Sequence, residues 1–384
     1  MNKKKQRLPK PKTLMECFEG LPDPRMDRTR RHKLIDILTI GLCTLLARGE
    51  SFTDMESYGH ARVQWFKSFL ELPNGIPSHD TIKRVFAALD PHAFFECFTQ
   101  WVQGLCPNLS DEVVAIDGKA LRRAVNEGDS IPYIISAWAT QSGLVLGQVK
   151  VEEKSNEITA LPKLLDALVL KGCIVTLDAM GCQKEIAANI IDKQADYVRA
   201  LKGNHATVHE EIKEFFADAV PPCADQCADT ATQDKMDFFK TVKTNRGRGE
   251  TRRYYHSTDI DWFEDKPLWK DLTSIGMVET LRKVKGKTSY ERRYFLSSLP
   301  SMPRGSPKPC GHWGIENSLH WSLDITSRED DSRARTKNAA QNVASLRRIV
   351  LNLIKKDRTK DCSQRSKRFL ASVEPDFLDY LLGI

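Results

Sequence analysis

The chain has 384 residues, with 58 Lys and Arg against 51 Asp and Glu, and a formal net charge of +7. This length allows two or three domains around a large core, and the basic balance favours a polyanionic partner. The lysine-rich start lacks the apolar segment of a secretory signal, and no apolar run approaches the roughly 18–20 residues that span a bilayer. We therefore expect a cytoplasmic protein with no membrane partner, whose 10 cysteines are reduced thiols.

The first part of the chain predicts a basic arm followed by a helical domain. Residues 1–12 are rich in lysine, and such an arm either follows phosphates or is a solvated tail. Residues 13–109 have the apolar spacing of helices and predict an all-α N-terminal domain. Within it, Ser78 is placed to cap a helix that carries Lys83 and Arg84. Basic helix faces suit DNA binding, whereas packing or dimerisation is an equally good interpretation of the domain.

The elements predicted between residues 110 and 204 follow the order strand, strand, strand, helix, strand, helix, strand. This is the order of a ribonuclease H-like α/β fold, in which the first and fourth strands are neighbours. We therefore expect Asp117 and Asp178, which end these two strands, to lie side by side at the carboxyl edge of the sheet, where open α/β sheets bind ligands. The predicted strands are Val113–Asp117, Tyr133–Thr140, Leu144–Val151, Cys173–Asp178 and Tyr197–Lys202, and the predicted helices are Ile158–Leu170 and Gln183–Lys193.

Strand-end carboxylates in this arrangement suit a divalent metal. Two carboxylates a few ångströms apart repel each other unless a cation joins them, and Mg²⁺ prefers oxygen ligands of this kind. Two Mg²⁺ or Mn²⁺ ions about 3.5–4 Å apart can activate a hydroxyl and stabilise a leaving oxygen in phosphoryl transfer. Glu316, in a segment with helical character, would be the third ligand, with Asp324 in reserve. The alternative for Asp117 alone is an ordinary Asp-Gly turn.

Several groups of residues carry a family resemblance that covers nearly the whole chain. They are Arg31-His-Lys-Leu-Ile-Asp36, Ala115-Ile-Asp-Gly-Lys119, Leu177-Asp-Ala-Met-Gly-Cys-Gln183, His312-Trp-Gly-Ile-Glu-Asn-Ser-Leu-His-Trp321 and Arg328-Glu-Asp-Asp-Ser-Arg333. By these groups the chain resembles the bacterial DDE transposases of the ISAs1 insertion-sequence family, which includes the H-repeat-associated proteins found beside Rhs elements.

That resemblance implies an activity, a cofactor and a partner. The activity is Mg²⁺-dependent cleavage and transfer of double-stranded DNA at the terminal inverted repeats and the target site. Carried over by motif, Asp117, Asp178 and Glu316 become the catalytic, metal-binding triad. A transposase of this kind would act as a homo-oligomer on DNA and would be nucleoid-associated while bound.

The resemblance also sets the expected domain boundaries. The ribonuclease H-like core would comprise residues 110–204 and 305–357, interrupted by a β-rich insertion at 205–304 and followed by a tail at 358–384. A guanidinium-rich turn in the insertion suits phosphate contacts, although a solvated hairpin tip is the alternative. His320, one helical turn beyond Glu316, is expected to shape the site. The residues expected to contact DNA are Lys119, Arg122, Lys202, Arg246, Arg248, Arg252 and His320.

Residues 302–311 depart from the family pattern, in which a helix should lead into Glu316. Three prolines forbid a regular helix there. A shifted reading frame of the corresponding codons would encode an amphipathic helix, so we hypothesise a pair of compensating frameshifts. Besides an active transposase, the sequence leaves two alternatives: a catalytically impaired DNA-binding remnant and a hydrolytic ribonuclease H-like nuclease.

Overall fold

The structure of the chain, a computed structural model, describes residues 13–125, 130–151, 157–178, 183–220, 236–245, 248–284, 286–300 and 314–384. The predicted basic arm at 1–12 and the proline-rich stretch at 302–311 lie outside the described residues. Within the described part the helices are α1 (Leu14–Glu19), α2 (Leu34–Leu46), α3 (Phe52–Ala61), α4 (Val63–Phe66), α5 (His79–Ala88), α6 (Pro91–Leu105), α7 (Glu157–Asp166), α8 (Lys184–Asp192), α9 (Ala206–Ala219), α10 (Ala339–Lys356), α11 (Gln364–Val373) and α12 (Pro375–Leu382). The strands are β1 (Val113–Ala120), β2 (Tyr133–Ala139), β3 (Leu144–Val151), β4 (Ile174–Leu177), β5 (Asp196–Leu201), β6 (Met236–Asn245), β7 (Arg248–Ser257), β8 (Ser274–Val284) and β9 (Lys287–Ser297).

The N-terminal helices begin where polar side chains cap them. Ser51 accepts a hydrogen bond from the backbone N–H of Asp54, and the Asp54 carboxylate accepts one from the Ser51 N–H, which is a capping box. Ser78, the predicted cap of α5, accepts from the N–H of Thr81. Helix α2 is apolar on nearly all sides and buried along its length, because it packs against α1, α3 and α10.

Within the described residues, nine strands form one sheet in the order β3-β2-β1-β4-β5-β9-β8-β7-β6. Strands β1, β2 and β3 are an antiparallel meander, while β4 pairs parallel with both β1 and β5. The predicted neighbour relation of the first and fourth strands is therefore confirmed. The strands of the insertion extend this same sheet, because β9 pairs antiparallel with β5. The chain is thus a mixed α/β protein.

Helix α10 joins the N-terminal helices to the sheet. It packs against α2, α5 and α6 on one part of its surface and against β3 on another. The Asn352 side chain accepts a hydrogen bond from the N–H of Val145 at 2.8 Å and donates one to the Val145 carbonyl at 2.9 Å. These bonds satisfy backbone groups of β3, the edge strand of the sheet. The helices and the sheet therefore share one continuous apolar core.

Candidate active site

Asp117 and Asp178 lie just beyond the last paired residues of two neighbouring parallel strands, although β1 does not end at Asp117 as predicted. Ile116 of β1 lies opposite Leu177 of β4, so Asp117 and Asp178 follow at neighbouring positions of parallel strands. Strand β1 continues past Asp117, and a Cβ on the next residue, Gly118, would lie 2.1 Å from the Tyr133 ring. Glycine at this position leaves room for the Tyr133 ring to lie over β1 directly after Asp117.

A wide helical segment lies beside Asp117. Glu316–His320 and Ser322–Thr326, here called the π-helical segment, have i→i+5 hydrogen bonding, such as that from the Trp321 N–H to the Glu316 carbonyl. The Nδ1 atom of His320 is 3.6 Å from Oδ2 of Asp117, and both side chains are largely buried. Glu316 is exposed and lies one turn earlier on the segment. The structure thus brings His320 to Asp117.

A cluster of charged side chains ties the π-helical segment to β1. The ammonium of Lys119 lies 2.7 Å from Asp324 Oδ1, 2.6 Å from Asp330 Oδ1 and 3.7 Å from Glu329 Oε2. Lys119 is only 8% exposed, and Arg348 of α10 completes the group by pairing with Glu329 at 2.7 Å. We call these five residues the Lys119 cluster. Lys119 is two residues from Asp117, so the cluster holds the strand and the helix in one arrangement.

Burial and pairing set the protonation of this cluster. Burial opposes the charge of Lys119, but the surrounding carboxylates outweigh it and raise the pKa of the ammonium. Burial would also raise the pKa of Glu329, yet Arg348 and Lys119 lower it overall. Burial raises the pKa of Asp324, and the nearby negative charges of Asp330 and Glu329 add to this effect, so the contact with Lys119 does not offset it. One ammonium therefore faces more carboxylates than it can neutralise.

The donor chemistry fits a divalent cation only in part. Asp117 within β1 and Asp178 just after β4 carry hard oxygen donors at neighbouring positions, so they suit Mg²⁺ or Mn²⁺. Among the described residues, no group of three or more His, Cys, Asp or Glu side chains is arranged to hold a metal ion. Glu316 is therefore not gathered with the two aspartates. Asp324, the predicted reserve ligand, is engaged by Lys119.

The residues predicted to contact DNA have different surroundings. Lys119 is enclosed by carboxylates, and this geometry argues against its contact with a phosphate. Arg122 is 77% exposed and lies 3.4 Å from Asp330, and Lys202 is exposed just after β5. Arg252 pairs with Glu250 at 2.9 Å in the β6–β7 hairpin. Arg246 and the side chain of Arg248 lie outside the described residues.

Sequence reasoning assigned no role to Arg348, and it offered Asp330 only as a rival of Asp324 for binding metal. Asp330 is 211 residues from Lys119, so only the folded chain brings them together. A signal for Arg348 is present, because Arg347 and Arg348 stand between Leu346 and the apolar run Ile349-Val-Leu351 in α10. Charged residues are almost never fully buried unless they are paired, and Arg348 is 0% exposed.

Two protein-family models match this chain. Residues 109–353 match the model of the transposase DDE domain, which covers more than half of the chain. The chain belongs to this transposase family. Residues 15–102, which contain most of the N-terminal helices, match a second model, described as DDE_Tnp_1-associated. The Asp117–Asp178 edge and the π-helical segment all lie within the DDE domain.

Known proteins similar to this transposase extend over nearly its full length. The putative transposase YncI of Escherichia coli O157:H7 is 36% identical over 379 residues, which cover 97% of this chain and 94% of that protein. The H repeat-associated putative transposase YhhI of E. coli strain K12 is 34% identical over 380 residues, covering 97% and 98%. A piggyBac transposase synaptic complex with hairpin DNA matches with a TM-score of 0.41 and 11% identity, covering 96% of this chain and 76% of that one. No helix among the described residues combines the length and hydropathy needed to cross a membrane.

Proposed function

We propose that this chain is a transposase of the ISAs1 insertion-sequence family with a ribonuclease H-like core, which cleaves and joins double-stranded DNA. Its substrates would be the terminal inverted repeats of its own element and a target site. It would act in the bacterial cytoplasm as a homo-oligomer on paired DNA ends, associated with the nucleoid while bound. Asp117, Asp178 and Glu316 would form its catalytic set.

The parallel pairing of β1 with β4 is the observation that carries this proposal. It brings Asp117 and Asp178 to the point where the parallel pairing of β1 with β4 ends, in a sheet whose strand order here is β3-β2-β1-β4-β5. A sheet edge with two adjacent carboxylates suits ligand binding in open α/β folds. The H-repeat-associated relatives and the DDE domain match support the same assignment.

The chain's own side chains have distinct tasks in this reaction. Bound Mg²⁺ or Mn²⁺ would supply the positive charge that activates an attacking hydroxyl and stabilises the leaving oxygen. Asp117 and Asp178 would hold the metal from the sheet, and Glu316 would approach from the π-helical segment. His320 lies beside Asp117 and orients its carboxylate, while the Lys119 cluster holds the segment against β1.

Cleavage of DNA that carries the element's own ends tests the proposal. The full-length protein is incubated with Mg²⁺ or Mn²⁺, beside the variants Asp117→Asn, Asp178→Asn and Glu316→Gln, which keep side-chain size but remove the charge. We expect metal-dependent nicking by the unmodified protein and none by the three variants. Asp361→Asn, at an exposed carboxylate away from these strands, is the matched control and should cleave normally.

The products separate the proposed function from its alternatives. Joined strands identify a transposase, whereas nicks without joining identify a hydrolytic nuclease. DNA binding without nicking by the unmodified protein would show that this copy is a catalytically impaired remnant and would contradict the proposal.

A further inference from the structure

Five exposed cations lie where the N-terminal helices meet the catalytic part of the chain. Lys83 and Arg84 are on α5, and Arg333, Arg335 and Lys337 are on the loop that leads into α10. We call these five residues the α5–loop surface. The sequence leaves open whether the helix that carries Lys83 and Arg84 binds DNA, and it assigns no role to Arg333, Arg335 and Lys337.

Two grooves bring these cations together. A groove of about 370 Å³ between α5 and the loop is lined by Lys83, Arg84 and Lys337. A second groove of about 370 Å³ is lined by Arg335 and Lys337 together with Lys150 of β3. The loop therefore presents positive charge into both grooves, and one side of the first is formed by the N-terminal helices.

The loop is held in one conformation by contacts with both parts of the chain. The Asn338 side chain donates to the Leu89 carbonyl at 3.3 Å, just after α5. Arg335 donates from Nε to the Arg123 carbonyl at 2.9 Å, just after β1. Lys337 has a φ of 46°, a left-handed backbone conformation that residues other than glycine adopt at a cost of about 1–2 kcal/mol. The backbone of the loop that carries three of the cations is thus held against α5 and the β1 region.

None of the five cations has an ion-pair partner among the described carboxylates. Asp80 also lines the first groove but forms no salt bridge with them. A neighbouring groove lined by Lys83, Arg333 and Arg335 also contains Asp80 and three engaged carboxylates: Asp331 and Glu50 pair with Arg328, and Asp54 caps α3. Five exposed positive charges without ion-pair partners produce a potential that attracts a polyanion. Arginine and lysine at such a surface suit phosphate groups in particular.

We propose that the α5–loop surface binds the phosphate backbone of duplex DNA and guides it to the Asp117 edge. This inference rests on the proposed function, and it gives the N-terminal helices a part in holding DNA. Ion pairs connect the start of this loop to the strand that carries Asp117. Asp330 and Asp331, which precede the loop, pair with Lys119 and Arg123 of the β1 region, and Lys119 is two residues from Asp117.

Equilibrium binding of a duplex to a charge-removal variant tests the proposal. Lys83→Gln, Arg333→Gln and Lys337→Gln are combined because these side chains make no hydrogen bond or ion pair with other described residues. Binding to a fluorescent 30-base-pair duplex of arbitrary sequence is measured by anisotropy between 50 and 300 mM NaCl, without divalent metal.

Two matched variants accompany the test. Lys356→Gln, Arg358→Gln and Arg365→Gln remove the same charge from exposed, unpaired cations near the C-terminus of the described chain. A charge-keeping variant combines Lys83→Arg, Arg333→Lys and Lys337→Arg. Thermal unfolding midpoints are compared so that any loss of binding is measured on folded protein.

We expect the Gln variant of the surface to bind roughly 100-fold more weakly at 0.1 M salt. The slope of log affinity against log salt should fall by about 2.7, since each phosphate contact on duplex DNA contributes about 0.9. The control and the charge-keeping variants should bind like the unmodified protein. Equal binding by both Gln variants would show that the α5–loop surface does not bind DNA, and it would leave the proposed function standing. Failure of the unmodified protein to bind any duplex would contradict the proposed function itself.

Discussion

Two clusters of charged side chains in this chain have opposite net charges. In the Lys119 cluster, one ammonium and the guanidinium of Arg348 face three carboxylates. In the far part of the sheet, the single carboxylate of Glu279 receives Arg253 at 3.0 Å, Arg292 at 3.1 Å and the hydroxyl of Tyr290. The first cluster has an excess of negative charge, and the second, here called the Glu279 cluster, has an excess of positive charge.

The difference that matters is what each cluster connects. The Glu279 cluster joins β7, β8 and β9, whose backbones are already hydrogen-bonded to each other along their length. The Lys119 cluster joins β1, the π-helical segment, the turn at Glu329–Asp331 and α10, which share no such ladder. The positions of β7, β8 and β9 therefore do not depend on the charges of the Glu279 cluster. The charges of the Lys119 cluster, in contrast, determine where the π-helical segment beside Asp117 lies.

The largest expected effect comes from breaking the buried pair of the Lys119 cluster. Arg348→Met leaves the Glu329 carboxylate, which is 1% exposed, without its closest cation. We expect the free energy of unfolding, measured by urea denaturation, to fall by about 3–5 kcal/mol. The double variant Arg348→Met with Glu329→Gln should recover part of this loss, because no ionised group is then stranded. An unchanged unfolding free energy in the single variant would show that the pair is not a buried one.

A change at Lys119 should affect catalysis more than binding. Lys119→Met removes the ammonium that joins Asp324 and Asp330 to β1, so the π-helical segment loses its anchor near Asp117. We expect DNA cleavage to slow by roughly 10–100-fold, the usual cost of losing a residue that orients a metal ligand. Duplex affinity should not change, and Lys119→Arg should restore most of the rate. A parallel loss of affinity and rate would instead favour direct contact between Lys119 and DNA.

The Glu279 cluster should behave in the opposite way. Glu279→Gln leaves two guanidinium groups that are each 14% exposed without their shared anion. We expect the free energy of unfolding to fall by about 1–3 kcal/mol, while the rate of DNA cleavage stays that of the unmodified protein. A slower cleavage rate in this folded variant would show that the far part of the sheet also positions the active edge.

The sequence was sufficient for the features of this fold that depend on local pattern. Apolar runs that end in Asp117 and Asp178 predicted two strands, and the order of elements predicted that these strands are neighbours, as the structure confirms. The Ser78 cap of α5 was equally readable, because a cap depends on residues only three positions apart.

Features that depend on distant residues were not readable in the same way. The pairing of β5 with β9 turns the insertion into an extension of the core sheet, and nothing in either strand specifies the other as its partner. Asp324 looked like a spare metal ligand because its partner, Lys119, is more than 200 residues away. Side chains on α10 such as Asn352 are polar by composition but buried in fact, since they satisfy the edge strand β3.

The smallest expected effect is the response of the Glu279 cluster to acid. Burial would raise the pKa of Glu279, but Tyr290, Arg253 and Arg292 outweigh it and lower the pKa below its ordinary value of 4.5. A lowered pKa stabilises the fold at every pH above the ordinary value, and this contribution is lost as the pH falls through the folded pKa. The difference in unfolding free energy between the unmodified protein and Glu279→Gln should therefore be constant from pH 7 to pH 5 and shrink below about pH 4.5. Urea denaturation at pH 7, 5, 4 and 3 measures it, and a difference that persists unchanged at pH 3 would mean that packing, rather than charge, holds these three strands together at Glu279.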